Sequence, residues 1–186
     1  MANVENTWWA EKYRPKTIEE YVGNNEISEY FKHCIEKNEL NHLLLYNAKS
    51  GTGKTSAAKI LANSLDADVM YINASDENSV EIVRDRIKTF ASSNSFKTWK
   101  IIILDEFSYF TMNAQSALNS MMEQFSKSTR FILTCNYIEK VFPSIQSRCT
   151  CFHLDSPAKP IVAKRIQHIL DSEKIEYELP SIVEME

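Results

Sequence analysis

A short loop with two glycines precedes a lysine and a threonine in the first third of the chain. Gly51 and Gly53 flank a threonine, and Lys54 and Thr55 follow directly. Because glycine accepts positive φ angles, such a loop can turn consecutive backbone N–H groups toward one point, where they bind an anion. A helix that begins there points its positive dipole end at the same anion. This pattern predicts a phosphate-binding loop, with Lys54 reaching the outer phosphates and the Thr55 hydroxyl ligating Mg²⁺.

The segments on either side of this loop have the patterns that a Walker A motif requires. An apolar, strand-like run over residues 42–46 precedes the loop, and a helix-like pattern over residues 55–65 follows it. The match is incomplete, because Ala48 stands where the first glycine of the motif is usual. An ordinary Gly-Thr-Gly turn that caps a helix is the alternative. The residues predicted to bind the phosphates are Ser50, Gly51, Thr52, Gly53, Lys54, Thr55 and Ser56.

Polar side chains also follow two later apolar runs. Asp105 and Glu106 come directly after the run 100–104, in the form of a Walker B motif. Asp105 would hold the water shell of Mg²⁺, and Glu106 would orient the water that attacks a terminal phosphate. Two acids at a strand end also commonly begin a turn, which is the alternative reading of this pair alone. Asn136, after the run 130–134, is a candidate to bind that water or the γ-phosphate.

Strand-like and helix-like runs alternate along the chain. The runs predicted as strands cover residues 42–46, 69–73, 100–104, 130–134 and 150–154, and those predicted as helices cover residues 55–65, 80–91 and 113–125. This order predicts an α/β fold with a five-stranded parallel sheet, flanked by helices, and with ligands at the carboxyl ends of the strands. We expect one such domain over residues 1–155.

An amphipathic helix is predicted over residues 157–170, after the main domain. Its apolar stripe consists of Ile161, Val162, Ile166, Ile169 and Leu170. A further helix is expected to begin after Pro180. We expect residues 156–186 to form the start of a helical lid, whose remaining helices would cover this stripe.

Composition narrows the class of protein. The chain of 186 residues has 44% hydrophobic and 25% charged residues, which is typical of a soluble globular domain, and no apolar run suits a signal peptide or a membrane span. Its four cysteines lack the Cys-x-x-Cys spacing of a zinc site, so reduced cysteines and a cytoplasmic location are favoured. The net charge of −4 argues against a surface covered in positive charge. Any contact with DNA would need a local basic patch.

Six short motifs stand in a fixed order along the chain. They are 9–15 (WAEKYRP), 73–77 (NASDE), 83–91 (VRDRIKTFA), 113–118 (NAQSAL) with Glu123, 134–137 (TCNY) and 146–149 (QSRC). Together they resemble the AAA+ small subunits of sliding-clamp loaders, namely replication factor C and the loaders of tailed phages. The resemblance implies an AAA+ P-loop fold with ATP and Mg²⁺ as cofactors. It also implies an ATP hydrolase, giving ADP and phosphate, that needs neighbouring subunits for full activity.

The resemblance assigns roles that spacing alone does not supply. Tyr13, Arg14 and Pro15 would lie near the adenine or the subunit boundary, and Val22 would lie in the base pocket. Arg148 would act in trans as an arginine finger, reaching the γ-phosphate that a neighbouring subunit binds. A guanidinium supplied across an interface makes hydrolysis depend on assembly.

The resemblance also implies macromolecular partners: other loader subunits in a pentamer, a sliding clamp and primer-template DNA, without a membrane. Arg84 and Lys88 would lie on the helix that faces the DNA, although a solvated helix face of mixed charge is the alternative. Tyr109 and Phe110 are candidates for contact with the clamp. The alternative is that the aromatic residues of this turn belong to the core, although two adjacent side chains do not easily both point inward. The expected location is a cytosol or nucleoid, or a viral replisome in a bacterial host.

Departures from the family pattern and alternative functions remain. Asn119 and Ser120 stand where many relatives carry arginine, which puts a basic contact to the next subunit in doubt. The family's sensor-two arginine and its collar domain are expected outside the chain, which would end within the lid. An AAA+ motor of the Holliday-junction helicase type would share the Walker residues and lack the motifs at 9–15 and 147–149. A nucleotide-binding, non-hydrolysing structural subunit would be expected to lose Lys54 or Glu106.

Overall fold

Five parallel strands form one sheet in the computed structural model, which describes residues 8–23 and 25–177. The strands are β1 (His42–Tyr46), β2 (Ala67–Asn73), β3 (Trp99–Asp105), β4 (Thr129–Cys135) and β5 (Cys149–His153). Their order across the sheet is β2-β3-β4-β1-β5. The predicted five-stranded parallel sheet is confirmed. Strand β2 begins two residues before its predicted start, because Ala67 still pairs with Trp99.

Helices lie on both faces of this sheet. They are α1 (Trp9–Lys12), α2 (Asn25–Lys37), α3 (Lys54–Ser64), α4 (the consecutive segments Val80–Ile82, Val83–Ile87 and Lys88–Ser92), α5 (Met112–Gln124), α6 (Pro143–Gln146) and α7 (Lys159–Ser172). Helices α2 and α3 pack on one face and helices α4 and α5 on the other. Successive strand residues point to opposite faces, so Leu43 and Leu45 join the first core while Leu44 joins the second. Both faces are therefore apolar, as the nearly continuous apolar runs predict.

Helix α4 differs from the regular helix predicted over residues 80–91. Its middle segment, Val83–Ile87, is a π-helical turn. Val83 and Ile87 are both buried against the sheet. The wider turn is therefore accommodated without exposing an apolar side chain, while Arg84 and Lys88 face solvent.

A buried lysine holds the end of helix α4. Lys100 lies in β3, and its Nζ donates hydrogen bonds to the carbonyl oxygens of Phe90 at 3.0 Å and Ala91 at 3.1 Å, and to that of Ser93. The last carbonyls of a helix have no partner within the helix, and a cation there also suits the helix dipole. Lys100 therefore fixes the end of α4 to the start of β3.

Helix α7 begins at Lys159, two residues after the predicted start, with Pro160 in its first turn, where proline needs no backbone donor. Ile161 remains 45% exposed, so residues within the described ranges cover the apolar stripe only in part. The helix expected after Pro180 lies outside the described residues. None of the helices described is long and apolar enough to cross a membrane.

Lys100→Met should lower the free energy of unfolding by about 1–3 kcal/mol, because it removes the donor and leaves helix carbonyls unpaired in a buried place. Lys127→Met is the matched control, since Lys127 is exposed in the turn before β4 and its replacement should change stability by at most about 0.5 kcal/mol. Urea unfolding of both variants measures the difference. Equal stability of the two would show that Lys100 does not fix the helix end.

Candidate nucleotide-binding site

The predicted phosphate loop lies between β1 and α3, at the carboxyl edge of the sheet. Gly51 and Gly53 have φ angles of 74° and 86°, the left-handed region that glycine adopts without strain. A Cβ atom added to Gly51 would meet nothing within 4 Å, so the loop is open on that side. Helix α3 starts at Lys54, directly after Gly53, and its first N–H groups therefore lie at the loop. The backbone has the form that binds an anion.

Lys54 lies across the loop. Its Nζ donates to the carbonyl oxygens of Asn47 at 3.1 Å and Lys49 at 2.9 Å, and to Thr52 Oγ1 at 3.3 Å. Burial lowers the pKa of Lys54, while the nearby carboxylates of Asp105 and Glu106 oppose that shift. The ammonium group is therefore positioned where phosphate charge would gather.

Asn47 anchors the start of the loop, a role that the motif does not specify. Its Nδ2 donates to the carbonyl oxygen of Leu154 at 2.7 Å, just after β5. Its Oδ1 accepts from the backbone N–H of Lys49 at 2.7 Å. Asn47 thus fixes the beginning of the loop to the neighbouring strand.

Three hydroxyl groups converge on the buried carboxylate of Asp105. Thr55 Oγ1 donates to it at 2.9 and 3.0 Å, the Tyr71 hydroxyl donates to Oδ2 at 2.6 Å, and Thr134 Oγ1 donates to Oδ1. Thr55 and Asp105, the predicted Mg²⁺ ligands, are therefore neighbours across 50 residues of sequence. The sequence patterns predicted no role for Tyr71 or Thr134.

Glu106 follows β3 in a left-handed backbone conformation, with φ at 52°. This conformation is uncommon for a residue other than glycine, and backbone strain of this kind is enriched at functional sites. Its backbone N–H donates to Thr134 Oγ1 at 3.1 Å, which holds the turn against β4. Asn136 comes directly after β4 and is half-buried. Thr134, near the end of β4, bonds both to Asp105 and to the backbone of Glu106, while the role of Asn136 toward water or phosphate stays a prediction.

A cavity of about 590 Å³ lies beside the loop. Its lining includes the predicted residues Tyr13, Arg14, Pro15, Val22, Gly51, Thr52, Gly53, Lys54, Thr55 and Ser56. Ser50 is an exposed loop residue outside this lining. Trp9, Tyr21, Arg165 and Ile169 line the same cavity, and sequence reasoning did not place them there.

Helix α7 closes one side of the cavity through contacts with the N-terminal segment. Arg165 Nη2 donates to the carbonyl oxygen of Tyr13 at 2.9 Å. The carboxylate of Glu173 accepts from Lys12 Nζ at 2.7 Å and from the Tyr13 hydroxyl at 2.9 Å. The helical pattern alone carried no signal for these contacts, because they join residues about 150 positions apart.

Tyr21 supports the fit of a polar ligand to this cavity. The residue is only 8% exposed, and its hydroxyl has no hydrogen-bond partner within residues 8–23 and 25–177. Burial raises the pKa of Tyr21 to about 12, so the hydroxyl remains a donor at neutral pH. An unpaired buried hydroxyl is costly, and a polar ligand would satisfy it. The open glycine loop, the lysine, the Thr55–Asp105 pair and this donor fit a nucleotide with a divalent cation.

Arg148 lies near the amino ends of the strands, away from the phosphate loop at their carboxyl ends. Its guanidinium donates to the carbonyl oxygen of Ser144 at 2.6 Å and pairs with the carboxylate of Glu123. The next residue, Cys149, pairs with His42 at the start of β1, whereas the phosphate loop follows the end of β1. At about 3.3 Å per residue, the four steps along β1 alone separate the two places by about 13 Å. The structure therefore does not bring Arg148 to its own phosphate loop.

The aromatic turn after Glu106 requires a correction. Phe110, predicted as a partner contact, is only 4% exposed and packs against Phe107 with 5.3 Å between ring centroids. Tyr109 is 52% exposed. Phe110 therefore belongs to the core, and of the two residues only Tyr109 is available at the surface.

Comparison with known proteins agrees with this geometry. Residues 43–154, more than half of the chain, match the family model described as ATPase family associated with various cellular activities (AAA). A probable replication factor C subunit 5 of Dictyostelium discoideum is 39% identical over 180 residues, 92% of this chain and 52% of that protein. A replication factor C small subunit of Halobacterium salinarum is 42% identical over 175 residues, 91% of this chain and 54% of that protein. The chain therefore spans about half the length of these relatives.

Among solved structures, the RuvB Holliday junction branch migration motor of Thermotoga maritima superimposes with a TM-score of 0.77. The two chains are 18% identical, and the superposition covers 92% of this chain and 58% of the RuvB chain. A likeness at this identity shows a shared fold. The family match includes the phosphate loop, the acidic pair and all five strands apart from His42, the first residue of β1. The chain therefore belongs to the AAA family of ATPases.

Proposed function

We propose that this chain is the ATPase module of a small subunit of a DNA polymerase sliding-clamp loader. It binds ATP with Mg²⁺, and hydrolysis is coupled to loading the clamp on primer-template DNA. The likeness to replication factor C subunits supports this proposal. The structural observation that supports it most is the position of Arg148. This residue lies near the amino ends of the strands, whereas its own phosphate loop lies at their carboxyl ends. An arginine so placed would serve a nucleotide bound by a neighbouring subunit.

The site residues divide the task of holding ATP and Mg²⁺. The backbone of the glycine loop and Lys54 hold the phosphates, and Thr55 with Asp105 holds the metal ion. Bound Mg²⁺ supplies charge neutralisation for the phosphate oxygens. Tyr13, Arg14, Pro15 and Val22 surround the adenine end of the cavity, as their place in its lining suggests.

Glu106 orients and polarises the water that attacks the γ-phosphate, and the products are ADP and phosphate. The left-handed turn at Glu106 and its hydrogen bond to Thr134 support this role, because they fix the direction in which the carboxylate leaves the strand. Asn136, at the same edge of the sheet, would bind the water or the γ-phosphate. Arg148 of one subunit would stabilise the transition-state charge at the next.

Other surfaces of the chain would meet the remaining partners. Arg84 and Lys88 are exposed on helix α4, in agreement with contacts to DNA phosphates. Tyr109 remains exposed for contact with a sliding clamp. Residues from 156 onward, including helix α7, would form the start of a lid over the nucleotide, after an ATPase domain over residues 1–155.

The two alternative functions have less support. The likeness to RuvB is one of fold, and the motifs at 9–15 and 147–149 favour a clamp-loader subunit over a branch-migration motor. A non-hydrolysing structural subunit would dispense with Lys54 or Glu106. Both residues are present, and Lys54 lies in the loop.

Lys54→Ala should weaken nucleotide binding, because it removes a charge-assisted contact to the phosphates. Glu106→Gln should leave binding intact and abolish hydrolysis, because the amide cannot polarise the water. Fluorescence titration with a labelled ATP analogue measures binding, and phosphate release measures hydrolysis. Normal hydrolysis by Glu106→Gln in an active loader would exclude Glu106 as the group that activates water.

The isolated chain should bind ATP and hydrolyse it slowly, and Arg148→Ala should change that slow rate little. In an assembled loader the same substitution should lower the hydrolysis rate by about 10³ to 10⁵, the usual contribution of an arginine finger. Arg86→Ala, at another exposed arginine, is the control and should remain active. Turnover of about one per second or faster by a verified monomer would contradict the assignment in trans.

The proposed function itself is tested by reconstitution with the other loader subunits. Phosphate release by the complex should rise when the matching clamp and primer-template DNA are both present. Either component alone should stimulate less. A rate that is insensitive to both, with all subunits assembled, would favour a different member of the AAA family.

A further inference from the structure

A tyrosine of the edge strand reaches the acidic centre of the site. Tyr71 lies in β2, the outermost strand on its side of the sheet, and its hydroxyl donates to Asp105 Oδ2 at 2.6 Å. No motif used in the sequence analysis includes this residue, and the proposed function has assigned it no role. It is the only one of the three hydroxyl donors around Asp105 that belongs to a long side chain.

The strand register explains why a long side chain is needed. Tyr71 pairs with Ile103, and Asn73 pairs with Asp105. Because side chains alternate between the faces of a sheet, Tyr71 and Asp105 lie on the same face as diagonal neighbours. Such neighbours are about 7–8 Å apart at their backbones, a span that an aromatic side chain can bridge. The tyrosine hydroxyl therefore reaches the carboxylate along the strand direction.

Helix α3 contacts both Tyr71 and Asp105. Thr55 and Lys59 are four residues apart and share one face of the helix. Thr55 Oγ1 meets Asp105, while Lys59 Nζ lies 4.4 Å from the centroid of the Tyr71 ring. The cation over the aromatic face holds the ring against the sheet. One helix face thus fixes the metal-ligand pair and the tyrosine together.

The donors position the Asp105 carboxylate without neutralising it. Asp105 is only 5% exposed, and its three hydrogen-bond donors of Thr55, Tyr71 and Thr134 are neutral hydroxyls. The Tyr71 hydroxyl lies 2.6 Å from Asp105 Oδ2, and a phenol hydroxyl donates a hydrogen bond to a carboxylate. The orientation of the carboxylate is fixed while its negative charge remains for a cation.

We propose that Tyr71 is a positioning residue for the divalent cation of this site. Its hydroxyl sets the orientation of the Asp105 carboxylate relative to Thr55, and so determines how tightly Mg²⁺ is held with the nucleotide. This inference rests on the proposed function, because it takes Thr55 and Asp105 as the metal-ligand pair. A purely structural role for the ring would affect folding stability but not the Mg²⁺ requirement.

Tyr71→Phe removes the hydroxyl and keeps the ring under Lys59. The affinity for a fluorescent ADP analogue is measured across a Mg²⁺ series and in excess EDTA. The Mg²⁺ concentration for half-maximal binding should rise about tenfold. Loss of a residue that orients a metal ligand typically weakens metal affinity about 10- to 100-fold, and we expect the lower end of that range. Affinity in EDTA should be unchanged, and kcat of the assembled loader at saturating Mg²⁺ should stay within about twofold. Tyr177→Phe is the matched control, because it removes another tyrosine–aspartate hydrogen bond, to Asp171 at 3.0 Å, outside the cavity lining, and it should behave as the parent.

The outcomes separate the two proposals. If the parent binds the nucleotide in a Mg²⁺-dependent way and Tyr71→Phe has the same Mg²⁺ requirement, the positioning role is overturned while the proposed function stands. An equal loss of affinity in Mg²⁺ and in EDTA would also overturn it, since that result indicates a general packing defect. A folded parent that binds no nucleotide would overturn the proposed function and this inference with it.

Discussion

The carboxylate of Asp105 connects more parts of this protein than any other group in the site. It is buried at the carboxyl edge of the sheet, where hydroxyls from the phosphate-loop helix, the edge strand and β4 converge on it. A buried charge is tolerated only when hydrogen bonds or an opposite charge compensate it. This constraint fixes the helix start relative to the sheet. The phosphate loop, which lies between them, is positioned as a consequence.

The positions of the glycines are related to the same cavity. The chain contains only three glycines, where an average content of about 7% would give about 13. Gly51 and Gly53 supply the positive φ angles of the loop. Gly23 lies against Tyr21, since a Cβ atom added there would overlap the tyrosine ring, and that ring also meets Gly53. Gly23 and Gly53 therefore lie where the backbone closely approaches Tyr21 in the cavity wall, whereas Gly51 is needed for its positive φ angle.

Local patterns predicted the sheet, the phosphate loop and the acidic pair, because apolar periodicity and loop spacing are properties of contiguous residues. The contacts of Tyr71 and Arg165 were missed because they depend on register between strands and on the docking of helix α7. The contact of Thr134 with Asp105 was also missed, because it depends on which face of β4 the threonine side chain occupies. Phe110 was misplaced because two adjacent aromatics do not indicate which one is buried.

The central claim is that the glycine loop and the Thr55–Asp105 pair form one site for a nucleotide and its metal ion. A crystal structure of the chain with Mg²⁺ and a non-hydrolysable ATP analogue tests it most directly. We predict phosphates within the loop from Gly51 to Gly53, Mg²⁺ at about 2.0–2.1 Å from Thr55 Oγ1, and Asp105 bound to the ion or its water shell. A nucleotide bound outside the glycine loop would contradict the account. So would a metal ion that is coordinated by neither Thr55 nor Asp105, directly or through a water molecule.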